Sequence, residues 1–277
     1  MAGFSSYDDL INEATVNGKS YRWDFYKAGG TAPAAGIWYS LARLGGYPPA
    51  IADGAAGSGT PGAGGTALTN ASGTIQIANQ SPDLKAIVHI EANAGTACNL
   101  MLYDRLVHVS AVSNNATGSK NVGSAALPRY TDGKGVQVWL EYTTAGTTTA
   151  SVVDLNSYTD DAGNTGQTAG SSFTAPATAM VLNSIMGPMP LAAGDLGVRS
   201  VETLNVGTAS TSGVTQVVLM RPLATLYVPA NQMAEKDLVM QFSSLPQMVD
   251  GASLCLAYRA TATTAIALYG SITIAWG

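Results

Sequence analysis

Charge is what this chain has least of. Of its 277 residues 18 are acidic and 13 basic, 11% in all, against about a quarter in an ordinary soluble domain. Thirteen scattered Lys and Arg cannot assemble the basic footprint that phosphate neutralisation requires, so no nucleic-acid partner is expected. Histidine is scarcer still. His89 and His108 stand apart in strand-like runs, without an H-E-x-x-H spacing or a third ligand beside them. The two cysteines, Cys98 and Cys255, fit neither a metal spacing nor a C-x-x-C redox pattern. Within apolar runs they read as small buried hydrophobes, a single long-range disulfide being the other reading. Long apolar runs are also missing. Residues 162–194 carry no charge but are crowded with Gly, Ser, Thr and Pro, so no membrane span is expected. The acidic opening around Tyr7, Asp8 and Asp9 lacks the basic and apolar regions of a secretory leader. The N-x-[ST] sites at Asn70 and Asn115 then carry little meaning.

Small residues stand in place of ions: Ala, Gly, Thr and Ser make up 125 of the 277 residues. Hydrophobic residues still reach 46%, with a mean hydropathy of +0.15, which is not the composition of a disordered chain. A chain this long buries roughly 70–75% of its unfolded surface, enough for a core without covalent staples.

Motifs that would carry chemistry fail on context. Gly57-Ser58-Gly59-Thr60-Pro61-Gly62 matches G-x-G-x-x-G, but small residues flank it and Pro61 lies inside it, where a dinucleotide site needs a strand and a helix. Gly18-Lys19-Ser20 imitates the end of a P-loop, yet Glu13 occupies the position of its first glycine. Asp154, Asn156, Asp160 and Asp161 form the densest oxygen cluster, but Tyr158 and Thr159 break the calcium-loop pattern. No G-x-S-x-G elbow is present. No catalytic residue, cofactor or metal site is expected, and the chain does not read as an enzyme.

Three kinds of sequence follow one another. Residues 1–51 hold nine of the twenty aromatics, among them Phe4, Tyr7, Tyr21, Trp23, Phe25, Tyr26, Trp38 and Tyr39. A short helix is predicted from an N-cap at Ser6 to Gly18. Too short for a core of its own and too aromatic for water, the segment should pack against the rest of the chain or on a neighbour; it reads as an aromatic-rich arm, with those eight residues as the candidate interface. Its deletion is expected to leave the remainder folded. Residues 52–73, rich in Gly, Ala and Thr, read as a flexible linker or long loop. From 74 to 277 the period is two. Ile266, Leu268, Gly270, Ile272, Ile274 and Trp276 alternate with Ala267, Tyr269, Ser271, Thr273 and Ala275. Further strands are predicted at 74–78, 84–91, 98–103, 105–112, 136–142, 150–155, 198–206, 214–220, 223–228, 237–242 and 253–259. The pattern is that of an all-β, jelly-roll-like sandwich, with a large loop at 157–180 that could instead divide it into two halves.

Several phrases carry a resemblance. They are Gly18-Lys19-Ser20-Tyr21-Arg22 with Gly36-Ile37-Trp38-Tyr39-Ser40-Leu41, Met101-Leu102-Tyr103-Asp104-Arg105-Leu106, Leu127-Pro128-Arg129-Tyr130-Thr131-Asp132-Gly133, and Ala193-Gly194-Asp195-Leu196-Gly197-Val198-Arg199-Ser200-Val201. Together they resemble virion structural proteins of tailed bacteriophages, of the head decoration or cement type. The resemblance implies a protein made in the host cytoplasm that binds the outside of a capsid shell. Its partners would be the major capsid protein and further copies of itself, as a dimer or trimer. A glycan- or receptor-binding jelly roll using loop aromatics and the Asp and Asn near 154–164 is the alternative, as is a tail or connector component. Asp104 with Arg105, and Asp195 with Arg199, read either as charge pairs fixing strand ends or as solvated turns.

Overall fold

The computed structural model describes residues 3–29, 34–58, 60–146, 149–239 and 245–277. A helix α1 (Tyr7–Ile11) runs into a wider π turn (Asn12–Val16). The strands of the first half are β1 (Ser20–Lys27), β2 (Trp38–Ser40), β3 (Gly46–Tyr47), β4 (Thr66–Ala67), β5 (Lys85–Ala94), β6 (Cys98–Ser113), β7 (Gly118–Asn121) and β8 (Gln137–Thr144). Those of the second half are β9 (Ser151–Asp160), β10 (Phe173–Ala175), β11 (Ile185–Met186), β12 (Val198–Thr208), β13 (Val214–Val228), β14 (Met233–Asp237), β15 (Gln247–Met248), β16 (Leu254–Ala260) and β17 (Leu268–Trp276). The all-β expectation holds, with one short N-terminal helix and antiparallel sheets stacked face to face. Ser6 caps α1 as predicted, its side chain accepting from the Asp9 amide at 3.1 Å.

A long sheet in the order β11-β8-β13-β6-β16-β2 is the centre of the molecule. Two predicted strand pairs fuse within it: 98–103 with 105–112 as β6, and 214–220 with 223–228 as β13. Pro222 is tolerated inside β13 because a register shift between Pro222 and Ala224 relieves the ladder there. One face of this sheet meets two smaller ones. Leu100, Leu102, Leu226, Leu254 and Leu256 pack against Ile87, Ile90, Ile272 and Ile274 of the sheet β14-β5-β17-β1-β3. Farther along the same face, Val109, Val138, Leu140, Val217 and Leu219 pack against Val153, Leu155, Val201 and Leu204 of the sheet β10-β9-β12-β7.

The long sheet also curls onto itself. Tyr39 in β2 bridges Ser184 just ahead of β11, and the Ser40 amide donates to the Asn183 carbonyl at 2.9 Å. The ring encloses Trp38, Met101, Tyr103, Trp139, Ile185, Val218, Met220, Cys255 and Ala257, with Ala42, Ile51 and Leu68 lying against them. Six strands leave room only for side chains, so the interior is packed rather than open.

Two expectations about the N-terminal third are corrected. The described residues of 1–51 do not reach away from the sandwich: β1 pairs with β17 from Ser20↔Ala275 to Lys27↔Leu268, inside its sheet, and β2 completes the ring. The apolar residues that looked coreless find their core in the last strand of the chain. The described residues of 52–73 form a long, packed loop, the second of its two readings, and not a flexible linker. They thread across β6 and the 122–125 segment through bridges Ala56↔Ser110, Gly62↔Ala125 and Gly64↔Ser124 and through β4. Glycine is needed there for approach rather than flexibility: a Cβ at Gly57 would lie 2.3 Å from the Asn121 carbonyl oxygen, and one at Gly64 2.1 Å from that of Val122. The predicted strand 74–78 reduces to a single bridge, Ile75↔Leu254. Of the predicted strand 237–242, residues 240–242 lie outside the described residues.

Candidate functional site

The eight aromatic residues singled out in the sequence separate by strand parity. Within β1, Phe25 points into the core between the sheets and Trp23 packs at its margin, while Tyr21, on the same side, is half exposed at the end of the strand. The alternate residues Arg22, Asp24 and Tyr26 point outward. Phe4, Phe25 and Tyr39 are buried, at 2–3% exposure, and are core residues of the folded chain rather than interface residues. Phe4 and Leu10 of the helical segment cover Ala86, Val88 and Ala275 at one end of the outward face. Trp38 is partly buried inside the ring. Tyr7, Tyr21 and Tyr26 stay exposed.

Beyond the helix-covered end, the outward face of β14-β5-β17-β1 carries two bands. The first is polar: Arg22 donates to Glu91 at 2.5 Å and to Asp24 at 3.0 Å, and the Ser271 hydroxyl donates to Glu91 at 2.9 Å. His89 belongs here, its Nε2 3.7 Å from a Glu235 carboxylate oxygen and its ring partly exposed. The second band is a row in strand register, Tyr26↔Tyr269↔Asn93↔Met233. Tyr26 and Tyr269 stack at 5.2 Å. Their exposures of 42% and 51%, and 60% for Met233, leave large apolar surface in water beside a charged margin. Tyr269 and Met233 were missed in the sequence. Tyr269 was legible, since it is the one large side chain on the second face of the 266–276 alternation. Met233 had no signal, because it joins the row only through pairing with β5.

At the end of the same sheet lies an open groove of about 290 Å³, lined by Tyr21, Trp23, Gln76, Gln80 and Trp276 among others. Trp23 stacks flat on Tyr47 at 5.4 Å, and Tyr21 tilts across it at 6.3 Å.

The remaining chemistry-bearing residues are structural. Asp104 and Arg105 are neighbours but pair elsewhere, because adjacent strand residues face opposite sides. Asp104 accepts two hydrogen bonds from Arg129, which also donates to the Leu68 carbonyl at 2.6 Å. Arg105, inside the ring, donates to both Glu141 oxygens at 3.3 and 2.7 Å and to Gln216 at 2.8 Å. Burial pushes the Glu141 carboxyl up, but the Arg105 charge and its hydrogen bonds outweigh that and hold it below the ordinary carboxylate range. Asp195 and Arg199 do not pair either. Asp195 accepts from the Tyr158 hydroxyl at 2.5 Å, while Arg199 donates to the Asp161 carbonyl at 2.6 Å. Asp160 is occupied by the Asn164 amide and side chain, both at 2.8 Å. Among the described residues, no three His, Cys, Asp or Glu side chains come together as metal ligands. Cys98 and Cys255 are free, buried thiols, which burial pushes up to about 11 and about 12.

His108 lies beside Arg105, which donates to its Nδ1 at 3.3 Å. Burial first, and the Arg105 charge second, push its pKa down to about 3, with Asp53 and Arg43 as the other charges acting on it. The unfolded chain takes up this proton near pH 6.5 and the folded chain only near pH 3. The unfolded state therefore binds more protons across that window, and stability falls as pH falls through it, by a few kcal/mol in order of magnitude. Urea unfolding at pH 7 and pH 4 should show a smaller acid loss for His108→Gln than for the parent. An equal loss in both would show that other groups carry the acid sensitivity.

No family model and no curated protein matches the chain. Among solved structures, the VP2 subviral particle of infectious bursal disease virus aligns over 98% of this chain and 86% of that one, at 9% identity and a TM-score of 0.17. A mutant of the same VP2, from derived T=1 particles, aligns over 99% and 84%, at 8% identity and a TM-score of 0.15. At such scores the likeness carries no argument about fold or function.

Proposed function

We propose that this chain is a structural virion protein of the capsid cement or decoration kind, which binds the outer surface of a shell and bridges its subunits. The observation that carries the reading is the row Tyr26, Tyr269 and Met233: aromatic and apolar side chains held outward by a paired sheet, with charged residues at their margin. Interface cores have this composition. The phrase-level resemblance to phage head proteins and the shortage of ions point the same way. On this reading the partners are a major capsid protein and further copies of the chain, and binding rather than catalysis is the task.

The double variant Tyr26→Ser/Tyr269→Ser alters only exposed rings and should fold. Truncating tyrosine anchors of this kind costs about 2 kcal/mol or more each where they form the centre of an interface. Co-sedimentation with shells of the major capsid protein should therefore be lost or weakened at least about tenfold. Undiminished binding would remove this face from the proposal. Quantitative mass spectrometry of particles tests the role itself, since a shell component must keep a fixed, high ratio to the capsid subunit. A copy number of the size of a single ring would assign the chain to a tail or vertex.

A further inference from the structure

We propose that the groove between Tyr21, Trp23, Trp276, Gln76 and Gln80 is a binding subsite for a neutral pyranose sugar. The inference goes beyond the shell reading and does not depend on it. It uses the inward-facing residues of β1, whereas the proposed shell contact uses Tyr26 on the outward side.

Three features of the groove fit such a ligand. Its aromatic walls are held in place: Trp23 is braced flat against Tyr47, and Trp276 ends the last strand with its amide donating to the Lys19 carbonyl at 3.1 Å. A pyranose offers an apolar C–H face that covers such rings while its hydroxyls stay at the edge. Gln76 is fixed by donating from Nε2 to the Ala71 carbonyl at 2.6 Å, which leaves its amide oxygen as an acceptor. Among the described residues the Gln80 side-chain amide has no hydrogen bond, while its backbone N–H donates to Asp250 and its carbonyl accepts from the Asp83 amide.

The chemistry also discriminates between ligand classes. No charged side chain is among the lining residues, so an anionic sugar, a phosphate or a nucleic-acid strand would find no counter-charge. A proline-rich peptide also favours aromatic grooves, but its backbone offers mainly carbonyl acceptors. It would leave the Gln76 and Gln80 oxygens without donors, while sugar hydroxyls both donate and accept.

Full-length protein on an array of neutral hexose, N-acetylhexosamine and uronic-acid oligosaccharides is the first test. Positives are then titrated by tryptophan fluorescence and saturation-transfer NMR. Binding of neutral sugars is expected, with affinity reduced about tenfold by Tyr21→Ala, Gln80→Ala or Trp276→Ala. Tyr21 is half exposed, and Gln80 lies in a surface loop, so those two variants should fold even if Trp276→Ala does not. Tyr26→Ser/Tyr269→Ser should bind sugar as the parent does, which separates this site from the shell contact. An array without positives together with no transfer signal at millimolar sugar would overturn the proposal. So would sugar binding that none of the groove variants weakens, or capture of a proline-rich decapeptide in place of any sugar.

Discussion

Replacing Arg105 by Met should destabilise the protein by about 3–5 kcal/mol, the usual cost of leaving one member of a buried ion pair unpaired. For a chain of this size that corresponds to a fall in Tm of roughly 10 °C. Both side chains are fully buried inside the ring, at 0% exposure. Glu141 would lose the charge that offsets its desolvation, and the Gln216 oxygen and His108 Nδ1 would lose their donor. The pair need not be stabilising relative to an apolar core. The triple variant Arg105→Met/Glu141→Leu/Gln216→Leu removes the polar atoms together and should recover at least half of the loss. Urea unfolding of parent, single and triple variants measures both quantities. A single variant within about 1 kcal/mol of the parent would mean that Glu141 is accommodated by other means, contrary to its burial.

Deleting residues 1–50 should abolish folding, the reverse of what an appended arm would allow. The deletion takes β1 and β3 from the edge of their sheet beside β17 and takes β2 from the ring. It also removes Phe25, Tyr39 and Leu41, all buried at 3% exposure or less. Large buried side chains cost about 2–5 kcal/mol each when truncated. Three of them approach or exceed the whole stability of an ordinary protein, about 5–15 kcal/mol. The freed edge of β17 would expose Ile272 and Ile274 and invite aggregation. Soluble expression, near-UV circular dichroism and thermal melting read the outcome. A soluble truncation with a cooperative melt and native near-UV signal would restore the arm.

The candidate interface shows where sequence reading succeeds and where it stops. Concentration of aromatics in the first fifty residues correctly marked the segment as needing a partner. Parity along β1 divides Tyr21, Trp23 and Phe25 from Arg22, Asp24 and Tyr26, and that division is a local property of any strand. Which side is covered is not local. It depends on the pairing of Ser20 with Ala275, some 250 positions away, and on which sheet then lies across Phe25. The partner of Arg105 was out of local reach for the same reason: its strand neighbour Asp104 faces the other side, and Glu141 reaches it from β8. Asp195, in the loop ahead of β12, is taken by Tyr158 of β9.

The sequence by itself determined the all-β class, most of the strands, the Ser6 helix cap, and the scarcity of charge that argues against phosphate-binding partners. These follow from period-two patterning, capping chemistry and composition, each readable over a few residues. Only the tertiary structure decided that the first and last strands pair, that the Gly-rich stretch is a close-packed crossing, and that one row of aromatics faces out while another borders a groove. Those outcomes come from burying apolar area between segments distant in the chain. That free energy depends on what is covered, and a local pattern does not record it.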